Sequence, residues 1–98
     1  MILVIGNVQV KDGCLPQALA LSLEHVTRSR SEPGCVSHRV SQDAQDPQRL
    51  LFVEEWNDQA ALLEHFKVPE SRAFAKQLAG LAVQAPGMAI YSATPVVL

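Results

Sequence analysis

The segment Ile2–Val10, with the sequence ILVIGNVQV, is apolar on both sides of an extended chain. Neighbouring side chains of a strand point to opposite faces, so the residues can be sorted by parity. Four apolar residues share one face: Ile2, Val4, Val8 and Val10. Leu3 and Ile5 lie on the other face, followed there by Asn7 and Gln9. A strand that is apolar on both faces has to be covered on both faces.

A helix is predicted over Leu15–Arg30, because apolar residues recur there at helical spacing. The predicted inward stripe consists of Leu15, Leu19, Leu23 and Val26. Pro16 falls in the first turn, where its missing N–H costs nothing, and SEPG at 31–34 ends the helix. His25 is expected on the exposed side of this helix.

Two strands joined by a hairpin loop are predicted next. Cys35–Asp43 alternates, with Val36, His38 and Val40 on one face, and its polar character favours an edge position. Leu50–Trp56 is the second strongly apolar segment, so we expect it to be a central strand.

The rest of the chain predicts a helix broken in two and a last strand. Asn57–Asp58 is suited to cap a helix that runs to about Phe66, and the residue before Pro69 disfavours its continuation. A further helix over about 70–82 and a strand over 86–94 complete the order β-α-β-β-α-β. This order is that of a ferredoxin-like α+β fold with a four-stranded antiparallel sheet, in which strands one and three are central.

Helices cover only one face of such a sheet, so the other face needs a different cover. The chain has 98 residues, of which 48% are hydrophobic and only 18% charged, an apolar composition for a small monomer. We therefore expect residues 1–98 to form one domain that pairs with a second copy through the bare sheet face, giving a homodimer.

Charge and cysteine content argue against several classes of protein. The net charge is −2 and the eight basic residues are scattered singly, so no nucleic-acid partner is expected. The apolar N-terminal segment is too short to span a bilayer and lacks the features of a signal peptide, which predicts a cytoplasmic protein without a membrane partner. Cys14 and Cys35 form no CxxC pair and are expected to remain free thiols.

The strand end FVEEW, at residues 52–56, carries two glutamates that cannot serve one site. Glu54 and Glu55 point to opposite faces, which excludes the paired carboxylates of a glycosidase. One is expected to face the helices and the other the partner chain, with Arg39 as a cross-strand partner for one of them. Trp56 shares a face with Glu54, either as a core residue or as a wall of an aromatic pocket, and its indole N–H needs an acceptor.

Few side chains are suited to chemistry. His65, at the border of an apolar stripe, is either structural or a base or donor in a pocket, and His38 is a second such candidate. Asn7 either forms a hydrogen bond to a neighbouring strand or turn, or supplies a polar group at the end of an otherwise apolar pocket. The chain's three histidines lack HExxH or paired spacing, so no metal site is predicted.

The block Glu32–Phe74 resembles the antibiotic biosynthesis monooxygenase (ABM) family. The resemblance is carried by EPGCVSHRVSQD at 32–43, FVEEWNDQAALLEHF at 52–66 and PESRAF at 69–74, which come in the family's order and spacing. It extends over about residues 2–94. It implies a ferredoxin-like domain that forms a dimeric α/β barrel.

The resemblance also implies an activity, which is the oxidation of a small aromatic quinol or phenol by O₂ without a cofactor. His65 would be the base or donor, Asn7 would orient the substrate oxygen, and Arg72 would be a counter-charge at the pocket mouth. The other substrate-binding residues would be His38, Trp56, Phe66 and Phe74. His38 stands where many family members have tyrosine.

Three alternatives stay open at this point. One is a non-catalytic dimer that binds a small ligand or is associated with stress. A second is haem degradation: Asn7 matches the strand-one asparagine of that branch, but the helix around Ala75 has no histidine to ligate iron. The third is isomerisation of a sugar phosphate, for which a pocket would need more basic residues than Arg39 and Arg72.

Overall fold

The computed structural model describes residues 1–98 and contains four strands and three helices. In chain order they are β1 (Ile2–Gln9), α1 (Leu15–Ser29), β2 (Cys35–Gln42), β3 (Arg49–Trp56), α2 (Gln59–Lys67), α3 (Pro69–Gly80) and β4 (Gly87–Ser92). The strands form one antiparallel sheet in the order β2-β3-β1-β4. Strands β1 and β3 are therefore central, and the predicted ferredoxin-like α+β fold is confirmed. None of the helices combines the length and the apolar character that a membrane span requires.

The break between α2 and α3 follows from local sequence. Asp58 caps α2, since its Oδ1 accepts a hydrogen bond from the Ala61 N–H at 2.8 Å. Val68 has an extended backbone, with φ −64° and ψ 125°, and separates α2 from α3. Pro69 opens α3 at a position where its missing N–H has no helical partner to lose. The predicted interruption is confirmed, and it divides the cover of the sheet into two short helices.

One face of the sheet lies beneath the helices and is buried along the two central strands, whereas Met88 and Ile90 of the edge strand β4 are exposed. Its core consists of Val4, Val8, Val10, Leu50, Phe52 and Trp56. On the opposite face Leu3, Ile5 and Val53 are half-buried and Leu51 is exposed, because nothing in the chain covers them. Both faces are thus apolar, as predicted.

The two glutamates of FVEEW divide between these faces. Glu54 is buried beneath the helices, whereas Glu55 lies on the opposite face and accepts a hydrogen bond from Ser37 Oγ at 2.7 Å. The expectation that Arg39 pairs with one of them is wrong within the chain. Arg39 stands opposite Val53 in the register, and the partners of Glu54 are a histidine and a tryptophan.

The inward face of α1 differs from the predicted leucine stripe. Leu23 is 57% exposed, and the buried residues of the helix are Ala18, Ser22, His25, Val26 and Ser29. His25, expected on the exposed side, is therefore buried. Small residues let the helix approach the sheet closely, and the Ser29 hydroxyl donates to the His25 carbonyl at 2.7 Å.

Strand β2 contains an irregularity that changes which residues share a face. Cys35 pairs with Trp56 and Ser37 pairs with Glu55, so Val36 is an extra residue in the ladder. Such a bulge inverts the parity of the residues before it. Val36 is consequently 55% exposed and lies on a different face from His38. Cys35 shares the face of His38 instead.

Candidate active site

A cavity of about 350 Å³ opens between the sheet and the helices α2 and α3. Gly6, on the helix-facing side of β1 between Val4 and Val8, has no side chain and forms part of its floor. Aromatic and aliphatic walls come from Phe52, Phe66, Phe74 and Leu78. The polar residues that border it are Asn7, His25, Glu54, His65, Ser71 and Arg72. A mainly apolar cavity with a few convergent polar groups is the usual form of a small-molecule site.

His65 is held by a carboxylate from the turn after α1. Its Nδ1 lies 2.9 Å from Oε1 of Glu32, and the ring itself is only 4% exposed. A carboxylate accepts hydrogen bonds, so we assign the proton to Nδ1. The lone pair of the neutral ring is then on Nε2. This pairing fixes both the tautomer and the orientation of the imidazole, as a base or a metal ligand requires.

Arg28 ties this pair to the neighbouring helices. Its Nη1 donates to Glu32 Oε2 at 2.8 Å, and its Nη2 donates to Ser71 Oγ at 2.8 Å. The same Nη2 lies 3.1 Å from Nδ1 of His25. Arginine is only a donor, so the Nδ1 of His25 accepts and the proton of that ring is on Nε2. One guanidinium thus orients Glu32, Ser71 and His25 together.

His25 is neutral under ordinary conditions. Burial lowers its pKa to about 3, and the neighbouring His38, His65 and Arg28 act in the same direction. Its ring stacks on Phe74, with centroids 4.0 Å apart and planes 7° from parallel. His25 is therefore a fixed, uncharged imidazole in the cavity wall.

Glu54 is the buried anion of the site. Burial by itself raises its pKa, but contact with His38 and a hydrogen bond from Trp56 outweigh burial, and the net pKa is lowered. The donor is the indole N–H of Trp56, 3.0 Å from Oε1. The acceptor that this N–H was expected to need is thus the neighbouring glutamate.

The three histidines of the chain meet at one point. The ring centroids of His25, His38 and His65 are 5.2 to 5.5 Å apart. His38 is only 1% exposed, and its Nε2 lies 3.2 Å from Glu54 Oε1. Its Nδ1 is buried without any hydrogen-bond partner. Such unpartnered polar atoms are uncommon in folded proteins.

Comparison with known families gives the chain its placement. The family model described as "Antibiotic biosynthesis monooxygenase" matches residues 1–77, which is most of the chain and includes β1 to α3 up to Gln77. The chain belongs to the ABM family.

Known proteins agree with this placement. The chain is 36% identical over 90 residues to the uncharacterized protein sll1783 of Synechocystis sp., covering 92% of this chain but only 61% of that relative's length. A crystal structure described as an antibiotic biosynthesis monooxygenase superposes with a TM-score of 0.90 at 28% identity, covering 97% of this chain and 100% of the other. Rv0793 of Mycobacterium tuberculosis shares the fold, with a TM-score of 0.90 at 21% identity and coverage of 99% and 98%.

Most residues singled out from the sequence of this ABM protein do border the cavity. His65, Phe66, Arg72 and Phe74 line it. Asn7 borders it beside Gly87, but the residue is exposed and its parity puts its side chain on the outer sheet face. It is therefore at the rim and does not need the partner expected for a buried amide.

Two of those residues lie behind the lining. His38, expected to contact the substrate, and Trp56, expected as a pocket wall or a core residue, are both fully buried and do not border the cavity. Both contact residues that do: their rings lie 5.5 and 4.7 Å from that of His65. They come from strands deep beneath α2, so they support the lining residues instead of facing a ligand.

Three residues of the candidate site were not predicted from the sequence, namely His25, Arg28 and Glu32. The i,i+4 spacing of Arg28 and Glu32 is a signal for an ion pair, and it could have been read as one. Nothing local indicates that Glu32 reaches His65, because the contact joins residues 33 positions apart on different elements. The thiols Cys14 and Cys35 are free, and burial raises the pKa of Cys35, which argues against a nucleophile there.

Replacing Trp56 by phenylalanine should destabilise the protein by about 3 kcal/mol, because the buried Glu54 carboxylate loses its hydrogen-bond donor. Urea denaturation measures the effect. The same replacement in a Glu54→Gln background should cost about 1 kcal/mol less, since a neutral amide loses less from an unmade bond. An equal cost in both backgrounds would mean that the bond contributes nothing specific.

Proposed function

We propose that this ABM protein is a cofactor-independent monooxygenase that oxidises a small aromatic quinol or phenol with O₂. The observation that carries the proposal is the Glu32–His65 pair at the edge of a largely apolar cavity. A base with a fixed tautomer, set in a sheltered apolar space, is what deprotonation of a phenolic oxygen requires. The family placement supports the same class of reaction.

The reaction balances without any further reductant. His65 Nε2 takes the proton of the substrate hydroxyl, and the resulting phenolate is electron-rich enough to reduce O₂. In the oxidation of a quinol to a hydroxyquinone, one oxygen atom enters the ring and the other leaves as water. The substrate supplies all of the electrons, so the protein has to provide only a base, a binding surface and exclusion of water.

The remaining residues have roles that follow from their positions. Phe66 and Phe74 flank the cavity and suit contact with a flat ring. Arg72 is exposed at the mouth, where its charge can stabilise an anionic substrate or product. Asn7 is the exception, because its side chain is on the outer sheet face and does not point at a substrate in the cavity.

The test is oxygen uptake by metal-free and flavin-free protein with a panel of quinols and anthrones. We expect catalytic O₂ consumption with at least one member of the panel, together with a rise in Tm when a non-oxidisable analogue binds. If analogues raise the Tm and no panel member consumes O₂ above the buffer rate, the protein binds a small ligand without oxidising it and the monooxygenase proposal fails.

We further propose that residues 1–98 act as one domain in a homodimer formed through the outer face of the sheet. Ile5 lies at the centre of this face, between Val53 and Ala89 in the register. Ile5→Glu would place unpaired charges in the interface, which should cost about 3 kcal/mol or more and weaken the dimer roughly a hundredfold.

Sedimentation velocity at micromolar concentration measures this effect. Leu63→Glu is the matched control, since Leu63 is exposed on α2, away from the outer sheet face, and its replacement should leave the dimer intact. A well-folded wild-type monomer under these conditions would contradict the proposed assembly.

A further inference from the structure

The convergence of the three histidines has no complete explanation in the proposed function. Deprotonation of a substrate uses His65, but it leaves the buried His25 and His38 without a chemical role. One nitrogen from each of these rings lies within 4.8 Å of the other two. These are all of the histidines in the chain.

Their spacing suits a shared metal ion after a small adjustment. Imidazole nitrogens bind Zn²⁺ at about 2.0–2.1 Å, which puts the donors of one ion roughly 3–4 Å apart. The rings therefore need to close by about an ångström, a shift that rotation about the side-chain bonds can supply. His38 points to a ligand independently, because its Nδ1 is buried with no partner while its Nε2 is next to the Glu54 carboxylate.

The groups around the rings supply what a bound ion needs. The carboxylate of Glu54 lies 3.2 Å from His38, and that of Glu32 holds Nδ1 of His65, which leaves Nε2 free for a ligand bond. A carboxylate on the far nitrogen of a ligating histidine is the common arrangement in metal sites. Two carboxylates also offset the charge of a divalent ion.

Arg28 is the one group that opposes an ion. Its Nη2 donates a hydrogen bond to Nδ1 of His25, and its positive charge is close to the three rings. The guanidinium keeps hydrogen bonds to Glu32 and Ser71 when the contact with His25 is given up. Binding therefore requires the loss of one contact at Arg28, not the loss of its anchoring.

We propose that His25, His38 and His65 bind one divalent first-row transition metal ion, with Glu54 beside it, at the inner end of the cavity. Nitrogen donors with one carboxylate favour Zn²⁺, Co²⁺, Ni²⁺ or Cu²⁺ over Mg²⁺ and Ca²⁺. His25, His65 and Glu54 all line the cavity, so one side of the ion faces open space that a small molecule can enter. This site goes beyond the proposed function, which uses His65 as a free base.

The experiment uses tag-free protein that has been treated with a chelator and then titrated with Co²⁺ and Zn²⁺. We expect one ion per chain, a visible Co²⁺ spectrum of low coordination number and a higher Tm. His38→Gln should weaken binding about tenfold or more, whereas Glu64→Gln, on the exposed side of α2, should not change it. The double variant Cys14→Ser, Cys35→Ser should bind like wild type, which separates imidazole from thiol ligands.

If His38→Gln does not fold, Cu²⁺ bound to the wild-type protein should show nitrogen hyperfine splitting from imidazoles in its electron paramagnetic resonance spectrum. Absence of stoichiometric binding, or binding that is unchanged in His38→Gln, would overturn the site. The outcome is independent of oxygen uptake, which is measured in metal-free protein. A loaded ion should lower that uptake, because it occupies the nitrogen that takes the proton.

Discussion

Replacing His65 by glutamine is expected to reduce the turnover of the best quinol or anthrone substrate by about 10²–10⁴-fold, the usual contribution of a general base. Glutamine is close in size to histidine and still offers a polar group to Glu32, so the fold should be retained. The measurement is the initial rate of O₂ consumption at saturating substrate, with circular dichroism to verify folding.

A second variant tests how much the orientation of the His65 ring by Glu32 contributes to the rate. Glu32→Gln removes the negative charge beside Nδ1 of His65 but keeps an amide oxygen as acceptor. It should reduce kcat about tenfold or more with KM nearly unchanged. Glu64→Gln is the matched control, because Glu64 is exposed on α2 and pairs only with Lys67. If His65→Gln oxidises the substrate as fast as wild type, His65 is not the base.

Replacing Gly34 by alanine is expected to destabilise the protein by about 2–4 kcal/mol, the largest effect expected of any glycine-to-alanine change in the chain. Gly34 has φ +83°, which an L side chain adopts only at a cost of about 1–2 kcal/mol. An added Cβ would also lie 2.5 Å from Cβ of Ala61 on α2, and such overpacking costs roughly 1–3 kcal/mol. Urea denaturation measures the sum.

Gly13 is a natural control for this prediction. Its φ of +80° is almost the same, but an added Cβ there would meet nothing within 4 Å. Gly13→Ala should therefore show only the conformational cost, about 1–2 kcal/mol. Equal effects at the two glycines would show that α2 does not pack against the turn as described. A larger effect at Gly34 would support close packing of α2 against the turn that follows α1.

The parts of the fold that the sequence predicts are those set by local rules. Strand alternation placed Glu54 and Glu55 on opposite faces, and apolar content placed β1 and β3 at the centre of the sheet. Pro69 predicted the break between α2 and α3. Each of these depends on a few neighbouring residues, so a single sequence contains enough information.

The wrong predictions concern side chains whose burial is decided by tertiary contacts and not by the periodicity of their own segment. Leu23 extends the apolar stripe of α1, yet the helix instead buries His25, whose ring is accommodated by Arg28 and Phe74. Val36 follows the parity of β2 until a bulge shifts it. Neither the stacking partner nor the bulge has a signal within its own segment.

The residues of the candidate site likewise divide into those that local sequence predicts and those that only the tertiary packing brings together. His65 and the phenylalanines on α2 and α3 are recognisable from residue type and spacing. The meeting of His25 and His38 with His65 is not, because the three rings come from a helix, a strand and another helix. Only the packing of α1 and α2 on the sheet brings them together.

Gly6 has a consequence for ligand size. On the buried face of β1 it stands between two valines, and an added Cβ would meet only ordinary contacts, 3.5 Å from Gly87 O and 3.7 Å from Phe52 Cβ. The backbone thus tolerates a larger residue, and any such residue would project into the space beneath the phenylalanines. The depth to which a flat ring can enter this cavity is therefore set by a missing side chain.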